Sequence, residues 1–240
     1  MPWNVPMTII RVPGVSNLRD VGGIPVGAGR VRAGRLLRSG QLAGLTPAGS
    51  ALLAGRVQRV VDLRADDEVR AEPSALASVP TTRIPLFLGS TASFFTEDID
   101  LSGMYRHLVD ESADRLAQAV RLIAQGVPTL VHCTVGKDRT GVTVALALSA
   151  VGADRAAVVA DYALTASQLP EARTRAVVEY FRTHLPDSRN AIQLATESPA
   201  PVMAALLADI DERYGSAAEY LRAVGMSDAE LDALRAFLVE

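Results

Sequence analysis

The sequence is short of cysteine, lysine, histidine and aromatic residues, and these shortages narrow what the chain can do. Cys133 is its only cysteine, so no internal disulfide can form and a reducing compartment is expected. One cysteine and 3 scattered histidines are too few for a zinc site, and we expect no metal and no other cofactor. A formal net charge of −3 gives no general reason to expect nucleic-acid binding.

Long hydrophobic runs are also missing. The longest apolar stretch, about residues 142–153, is alanine-rich and shorter than the roughly 20 residues that cross a bilayer. Residues 1–6 lack the basic start and apolar run of a signal peptide. We therefore expect no stable membrane insertion and a cytoplasmic location, with secretion that needs no signal peptide as the alternative. The sequence does not indicate an oligomeric state.

Segments typical of strands and helices alternate over the first 150 residues, and helices follow. Strands are predicted at residues 34–40, 57–63, 82–86 and 129–132. Helices are predicted after Thr46-Pro47, at 115–125, 154–166, 171–184 and about 201–213, and after the capping box that begins at Ser227. This order predicts one α/β domain over residues 1–240, in which residues 151–240 are mainly helical.

Residues 87–104 are harder to assign to an element. Three phenylalanines lie there among glycine, serine and threonine, without helical or strand periodicity. Apolar rings in such a loop are typical of a flap over a pocket. The alternative is a loop that packs these rings into the core.

A polar segment near the N-terminus, Arg19-Asp20, precedes the glycine pair at positions 22 and 23. The glycines predict a turn. The two charged residues either form a solvated turn or brace a site through an ion pair. Taken alone, the residues favour the solvated turn, because exposed ion pairs contribute little.

Residues 131–141, VHCTVGKDRTG, contain the only cysteine and the only lysine of the chain. A β-favouring run leads into this segment and an alanine- and valine-rich run leads out, which predicts a strand, a tight loop and a helix. The start of a helix presents unpaired backbone N–H groups and a partial positive charge, and this geometry binds phosphate. The predicted phosphate-binding residues are Thr134, Val135, Gly136, Lys137 and Thr140, together with the fork of Arg139.

The same positive field favours the thiolate of Cys133, which is the nucleophilic form of cysteine. A thiolate beside a bound phosphate predicts attack on phosphorus and a cysteinyl-phosphate intermediate. Thr140 is expected to donate its hydroxyl to the sulfur as the sulfur leaves. His132 is expected to support the loop through hydrogen bonds rather than to act as a base.

Two other interpretations fit this segment less well. A nucleotide-binding loop needs a glycine five positions before Gly136 and a serine or threonine after Lys137, and neither is present. The other interpretation is a buried structural cysteine in an ordinary turn between a strand and a helix. The full ten-residue run from His132 to Gly141 is too specific to favour it.

His132 to Gly141 resembles the signature of cysteine-dependent phosphatases, and its Gly-Lys-Asp-Arg form resembles the bacterial tyrosine/serine protein phosphatase family. Segments at 17–20, 38–39, 62–64, 161–162 and 214–222 resemble recurrent segments of that family, in the same order. The resemblance implies the cysteine-phosphatase fold, with a central, mostly parallel sheet flanked by helices. It also favours a bracing role for residues 17–20.

A carboxylic acid is expected to protonate the leaving group. Asp138 is our first choice, because it lies in the loop and the resemblance supports it, although Lys137 and Arg139 favour its ionised form. Asp62 is the reserve. The other candidates are Asp66, Asp67, Asp98 and Asp100.

The expected substrates are phosphorylated proteins, carrying phosphotyrosine and also phosphoserine or phosphothreonine. A phosphoinositide is the alternative, because Lys137 offers an extra cation to a multiply phosphorylated headgroup, although no basic cluster for a membrane surface accompanies it. A pseudophosphatase that binds phosphate without turnover is a hypothesis of another class. The presence of Cys133, Asp138 and Arg139 argues against it.

Overall fold

A central β-sheet organises the chain in the computed structural model, which describes residues 8–86 and 98–240. Within these residues the strand order is β1-β2-β5-β8-β6-β7, with β5, β8, β6 and β7 parallel and β1 and β2 antiparallel at one edge. The strands are β1 Thr8–Ile9, β2 Arg19–Asp20, β5 Leu36–Ser39, β6 Arg59–Asp62, β7 Thr81–Arg83 and β8 Thr129–His132, and β3 Pro25–Val26 and β4 Gly29–Arg30 form a separate hairpin. The mostly parallel sheet is confirmed.

Helices cover the sheet and make up most of the chain after β8. They are α1 Pro47–Ala54, α2 Asp66–Ala71, α3 Leu101–Glu111, α4 Ala113–Ala124, α5 Asp138–Ala150, α6 Arg155–Gln168, α7 Glu171–His184, α8 Ala191–Thr196, α9 Ala200–Tyr214, α10 Ala217–Ala223 and α11 Asp228–Leu238. The predicted caps are present: Thr46 accepts from the N–H of Gly49, and Ser227 forms a capping box with Glu230. The helical C-terminal region is confirmed.

Strand β8 lies at the middle of the parallel part of the sheet and is buried along its length. Its side chains alternate between two hydrophobic clusters: Val131 contributes to the larger cluster and Leu130 to the smaller one. His132 at its end pairs in register with Ser39 of β5 and Asp62 of β6. The loop after β8 therefore emerges between the ends of two parallel neighbours, which is where open α/β sheets bind their ligands.

The predicted flap at 87–104 lies mainly outside the described residues. Its last residues are helical: Asp100 caps α3 by accepting from the N–H of Gly103, and Leu101 and Met104 are buried. A loop over residues 101–104 is therefore wrong, because a capping aspartate and buried side chains at i and i+3 start a helix there. In the described parts of the chain, no helix is long and apolar enough to cross a membrane.

Candidate active site

The loop between β8 and α5 makes its turn at Gly136, which has a φ of +73°. A Cβ atom at this position would lie 2.2 Å from the carbonyl oxygen of Ser39. Glycine is therefore required twice, once for its left-handed backbone and once for the close approach to the end of β5. Helix α5 begins at Asp138, so Asp138 and Arg139 lie in its first turn.

Two carbonyl groups of the loop are held on its outer side. The amide nitrogen of Asn17 donates to the carbonyl oxygens of Val135 and Gly136, at 3.3 and 2.9 Å. Nη2 of Arg38 also donates to the Gly136 oxygen, at 2.9 Å. These bonds fix the orientation of two successive peptide planes.

The N–H groups of the same peptide planes face the inside of the loop, because a planar trans peptide points its N–H and C=O in opposite directions. The groups concerned are the N–H of Gly136 and the N–H of Lys137. The first of them donates to Sγ of Cys133 at 3.3 Å. The loop thus places inward N–H groups beside the sulfur at the N-terminus of α5, where an anion is stabilised.

A buried ionic network supports the side chains that bind the loop carbonyls. Nε of Arg19 and Nη1 of Arg38 bind opposite oxygens of Asp161 in α6, at 2.7 and 2.5 Å. Arg19 also donates to the side-chain oxygen of Asn17. All these side chains are buried. The solvated-turn interpretation of Arg19 is therefore wrong, and the residue braces the loop through Asn17.

Asp161 and Arg19 both stay ionised at neutral pH. Burial alone would raise the pKa of Asp161, but the charges of Arg38 and Arg19 and their hydrogen bonds lower it overall. Burial and the neighbouring Arg38 lower the pKa of Arg19 to about 10, against the opposing effect of Asp161. Removing Asp161 would leave two buried positive charges without compensation.

Arg139 is oriented by an acidic partner that the sequence did not identify. Glu68 in α2 accepts from Nη1 and Nη2 of Arg139 at 2.6 and 2.7 Å, and from the hydroxyl of Thr134. Burial alone would raise the pKa of Glu68, but the hydrogen bonds and charge of Arg139 lower it to about 2. The sequence feature that could have identified Glu68 is the acidic run after β6, because the end of β6 lies beside the end of β8.

Asp138 receives two donors on a single oxygen. Nζ of Lys137 lies 2.6 Å from Oδ1, and the hydroxyl of Tyr105 donates to the same oxygen at 2.7 Å. The side chain of Lys137 is only 1% exposed, whereas that of Asp138 is 20% exposed. The ammonium of Lys137 binds Asp138 in this structure, and its contact with phosphate stays a prediction.

His132 has the supporting geometry that the sequence predicted. Its ring is fully buried, and Nδ1 lies 3.1 Å from the carbonyl oxygen of Cys133. Burial lowers the pKa of His132, which favours the neutral ring. A neutral ring with its proton on Nδ1 donates to this carbonyl and holds the beginning of the loop.

Thr140 lies in the first turn of α5 and does not bond to the sulfur. Its hydroxyl oxygen is buried and has no hydrogen-bond partner among the residues that the structure describes. The predicted hydrogen bond from Thr140 to Cys133 is therefore absent. The N–H of Gly136 is the donor that reaches the sulfur instead.

Asp62, the reserve acid, is bound by an arginine. Nε and Nη2 of Arg64 donate to its two oxygens at 3.0 and 2.8 Å, and both side chains are buried. Burial alone would raise the pKa of Asp62, but the hydrogen bonds and charge of Arg64 lower it overall. The geometry therefore favours a structural ion pair over a proton donor.

The remaining acidic candidates also lack a catalytic geometry. Asp66 pairs with Arg83. Asp98 accepts from the hydroxyl of Ser188 at 2.6 Å, and Asp100 caps α3. Asp67 is exposed in the first turn of α2. Among the candidates, Asp138 alone belongs to the loop that carries the cysteine.

A cysteine beside inward N–H groups, with an arginine fork in the first turn of the helix that follows, defines the class of cysteine-dependent phosphatases. The chain belongs to the tyrosine phosphatase family, whose model matches residues 10–240. It is therefore a hydrolase that acts on phosphorylated substrates. The predicted family, fold class and enzyme class are confirmed.

One curated relative aligns with nearly the whole chain. The chain is 32% identical over 280 aligned residues to the triple specificity protein phosphatase PtpB of Mycobacterium tuberculosis, and the alignment covers 97% of this chain and 100% of that protein. A solved structure, the P. aeruginosa protein TpbA, is 20% identical and covers 82% of this chain and 99% of its own, with a TM-score of 0.37. We draw no functional conclusion from a structural similarity of that size.

We expect the variant Asn17→Gly to lower kcat by about 10²-fold, because small misplacements of a reacting group have effects of that order. Glycine keeps the positive φ of 58° at this position while the bonds to the loop carbonyls are lost. Steady-state kinetics on an aryl phosphate measures the change. The control Ser227→Ala removes a helix cap and should lower thermal stability without lowering kcat. An unchanged kcat in Asn17→Gly would show that the loop keeps its shape without this brace.

We expect Glu68→Gln to remove a pH-dependent part of the free energy of unfolding. The pKa of Glu68 falls from 4.5 to about 2 in the folded protein, so its stabilisation is present above about pH 4.5 and is lost as the pH falls towards 2. The difference from wild type should be on the order of 3 kcal/mol at pH 7 and should shrink on acidification. Urea unfolding at several pH values measures it, with exposed Glu212→Gln as the control. A pH-independent difference contradicts the ion pair.

Proposed function

We propose that the chain hydrolyses phosphotyrosine, and also phosphoserine and phosphothreonine, in protein substrates, with Cys133 as the nucleophile. The observation that carries the proposal is the hydrogen bond from the Gly136 N–H to Sγ of Cys133. This bond shows that the loop directs an N–H donor at the reacting sulfur, and a bound phosphate oxygen would meet the same N–H groups. The family supports phosphotyrosine, and the printed name of PtpB describes a wider specificity for that relative.

In the first step, the inward N–H groups and the fork of Arg139 hold the phosphoryl oxygens. Sγ of Cys133 attacks phosphorus, an S–P bond forms, and the bond from phosphorus to the leaving oxygen breaks. Asp138 gives its proton to that oxygen, which leaves as an alcohol or a phenol. Arg139 is already oriented by Glu68, so little rearrangement of the guanidinium accompanies binding.

In the second step, water attacks phosphorus and the S–P bond breaks. Asp138, now a carboxylate, takes a proton from the water, which returns the acid to its starting form. The sulfur leaves as a thiolate, and the N–H of Gly136 stabilises the negative charge. The products are inorganic phosphate and the free enzyme. A part for Thr140 in this step stays a prediction.

Phosphorylated protein is favoured over a phosphoinositide by the geometry of Lys137. Its ammonium binds Asp138 at 2.6 Å, so this cation is not directed at a second phosphate group. A pseudophosphatase is disfavoured, because the cysteine, the arginine and the loop carboxylate are present together. The proposal further treats residues 1–240 as one phosphatase domain, and it requires a reducing compartment, such as the cytoplasm, because Cys133 acts only as a free thiolate.

We expect Cys133→Ser to lose hydrolysis of p-nitrophenyl phosphate by at least about 10⁴-fold, because the covalent intermediate can no longer form. Far-ultraviolet circular dichroism checks that the variant is folded. Comparable turnover by the variant would contradict the role of Cys133. Wild type that binds vanadate yet hydrolyses no phosphate monoester would favour a binding protein. A panel of phosphopeptides and phosphoinositides then identifies the preferred substrate class.

We expect Asp138→Asn to lower kcat on phenyl phosphate by about 10²-fold or more, the usual contribution of a general acid. A required acid must be protonated, so wild-type turnover should decline as the pH rises, and this decline should disappear in the variant. A pH–rate profile measures both effects, and Asp67→Asn, an exposed aspartate, is the matched control. If the decline and the turnover both survive in Asp138→Asn, another group is the acid.

A further inference from the structure

Two buried tyrosines connect Asp138 to the helices behind the loop. The hydroxyl of Tyr105 in α3 lies 2.7 Å from Oδ1 of Asp138 and 2.7 Å from the hydroxyl oxygen of Tyr162 in α6. Neither ring is exposed to solvent. Their centroids are 6.0 Å apart and the ring planes meet at 83°, an edge-to-face arrangement that fixes both rings.

The direction of this hydrogen-bond chain follows from its last member. The carboxylate of Asp138 can only accept, so the single hydroxyl proton of Tyr105 is donated to it. Tyr162 must then donate its own proton to the oxygen of Tyr105. Burial and the nearby charge of Asp138 raise the pKa of both tyrosines, so both phenols keep the protons that the chain needs.

The bonds on Oδ1 determine which oxygen of Asp138 carries the catalytic proton. Lys137 and Tyr105 both donate to Oδ1. A proton on Oδ1 would compete with these two donors, so the acid form carries its proton on Oδ2. Oδ2 is then the oxygen that can donate a proton to the leaving group.

The packing around Tyr162 holds its ring in one place. A Cβ atom at position 141 would lie 3.0 Å from Cδ2 of the Tyr162 ring, so the glycine at this position in α5 lets the ring lie against the helix. Asp161, the residue before Tyr162, binds Arg19 and Arg38. One turn of α6 therefore supports both the loop carbonyls and the tyrosine chain.

We propose that Tyr105, held by Tyr162, is a positioning residue that directs Oδ2 of Asp138 towards the leaving-group oxygen. The inference rests on the proposed role of Asp138 as the acid. It predicts that the hydroxyl of Tyr105 matters only where the leaving group needs a proton. Phenyl phosphate has a poor leaving group and needs one, whereas 2,4-dinitrophenyl phosphate has a good leaving group and does not.

The test is Tyr105→Phe, which removes one oxygen and keeps the buried ring. We expect kcat/KM on phenyl phosphate to fall by about 10-fold or more, and kcat/KM on 2,4-dinitrophenyl phosphate to change by less than about 2-fold. The ratio kcat/KM is compared because it reports the first step, in which the leaving group departs, and not the later attack of water. Tyr162→Phe should give a smaller effect in the same direction, because Tyr105 still reaches Asp138. The matched control is Tyr180→Phe, at a tyrosine that is 55% exposed on α7, which should change neither rate.

Measuring Asp138→Asn alongside Tyr105→Phe separates the positioning role of Tyr105 from the proposed acid role of Asp138. If Asp138→Asn lowers kcat/KM on phenyl phosphate far more than on 2,4-dinitrophenyl phosphate and Tyr105→Phe changes neither, Asp138 is the acid but its positioning by Tyr105 is wrong. If Asp138→Asn lowers kcat/KM equally for both substrates, the acid assignment fails and this inference falls with it. In the Asp138→Asn background, Tyr105→Phe should have no further effect on phenyl phosphate. An equal loss on both substrates in Tyr105→Phe alone would indicate a merely structural role.

Discussion

The carboxylate of Asp161, buried between the guanidinium groups of Arg19 and Arg38, is the interaction on which the phosphate loop depends. It makes two cations tolerable in the interior, and those cations and Asn17 hold the loop carbonyls outward. Without it, two positive charges would lie uncompensated beneath the site. The N–H groups point inward because the network binds the carbonyl groups on the opposite side of the same peptide planes.

Every charged side chain of the loop and of the first residues of α5 has a partner of opposite charge, and one of the two pairs uses a neighbouring helix. Arg139 is paired with Glu68 of α2, and Lys137 with Asp138. The arriving phosphate therefore meets oriented groups of low net charge rather than a concentrated positive field. Backbone N–H groups and the dipole of α5 contribute much of the attraction. This arrangement suits a single phosphoryl group better than a headgroup with several.

Local patterns predicted much of the fold and the identity of the loop, because caps, periodicity and the ten-residue signature are encoded in neighbouring residues. The bracing contacts could not be read in the same way. Arg19 meets Asp161 across 142 positions of sequence, and Arg139 meets Glu68 across 71. Tyr105 gave no signal, because a tyrosine at a buried helical position is also ordinary core. Such partners follow from strand order, which only the assembled sheet defines.

The glycine at 136 has a consequence for how this sequence can diverge. Its missing side chain is the space into which the end of β5 fits, with the Ser39 oxygen where a Cβ would be. A larger residue there would need a compensating shift of a strand that is itself hydrogen-bonded on both sides. Drift at this position thus requires coordinated changes in two distant segments at once. We expect descendants of this chain to vary in the helices around the sheet long before they vary at this contact.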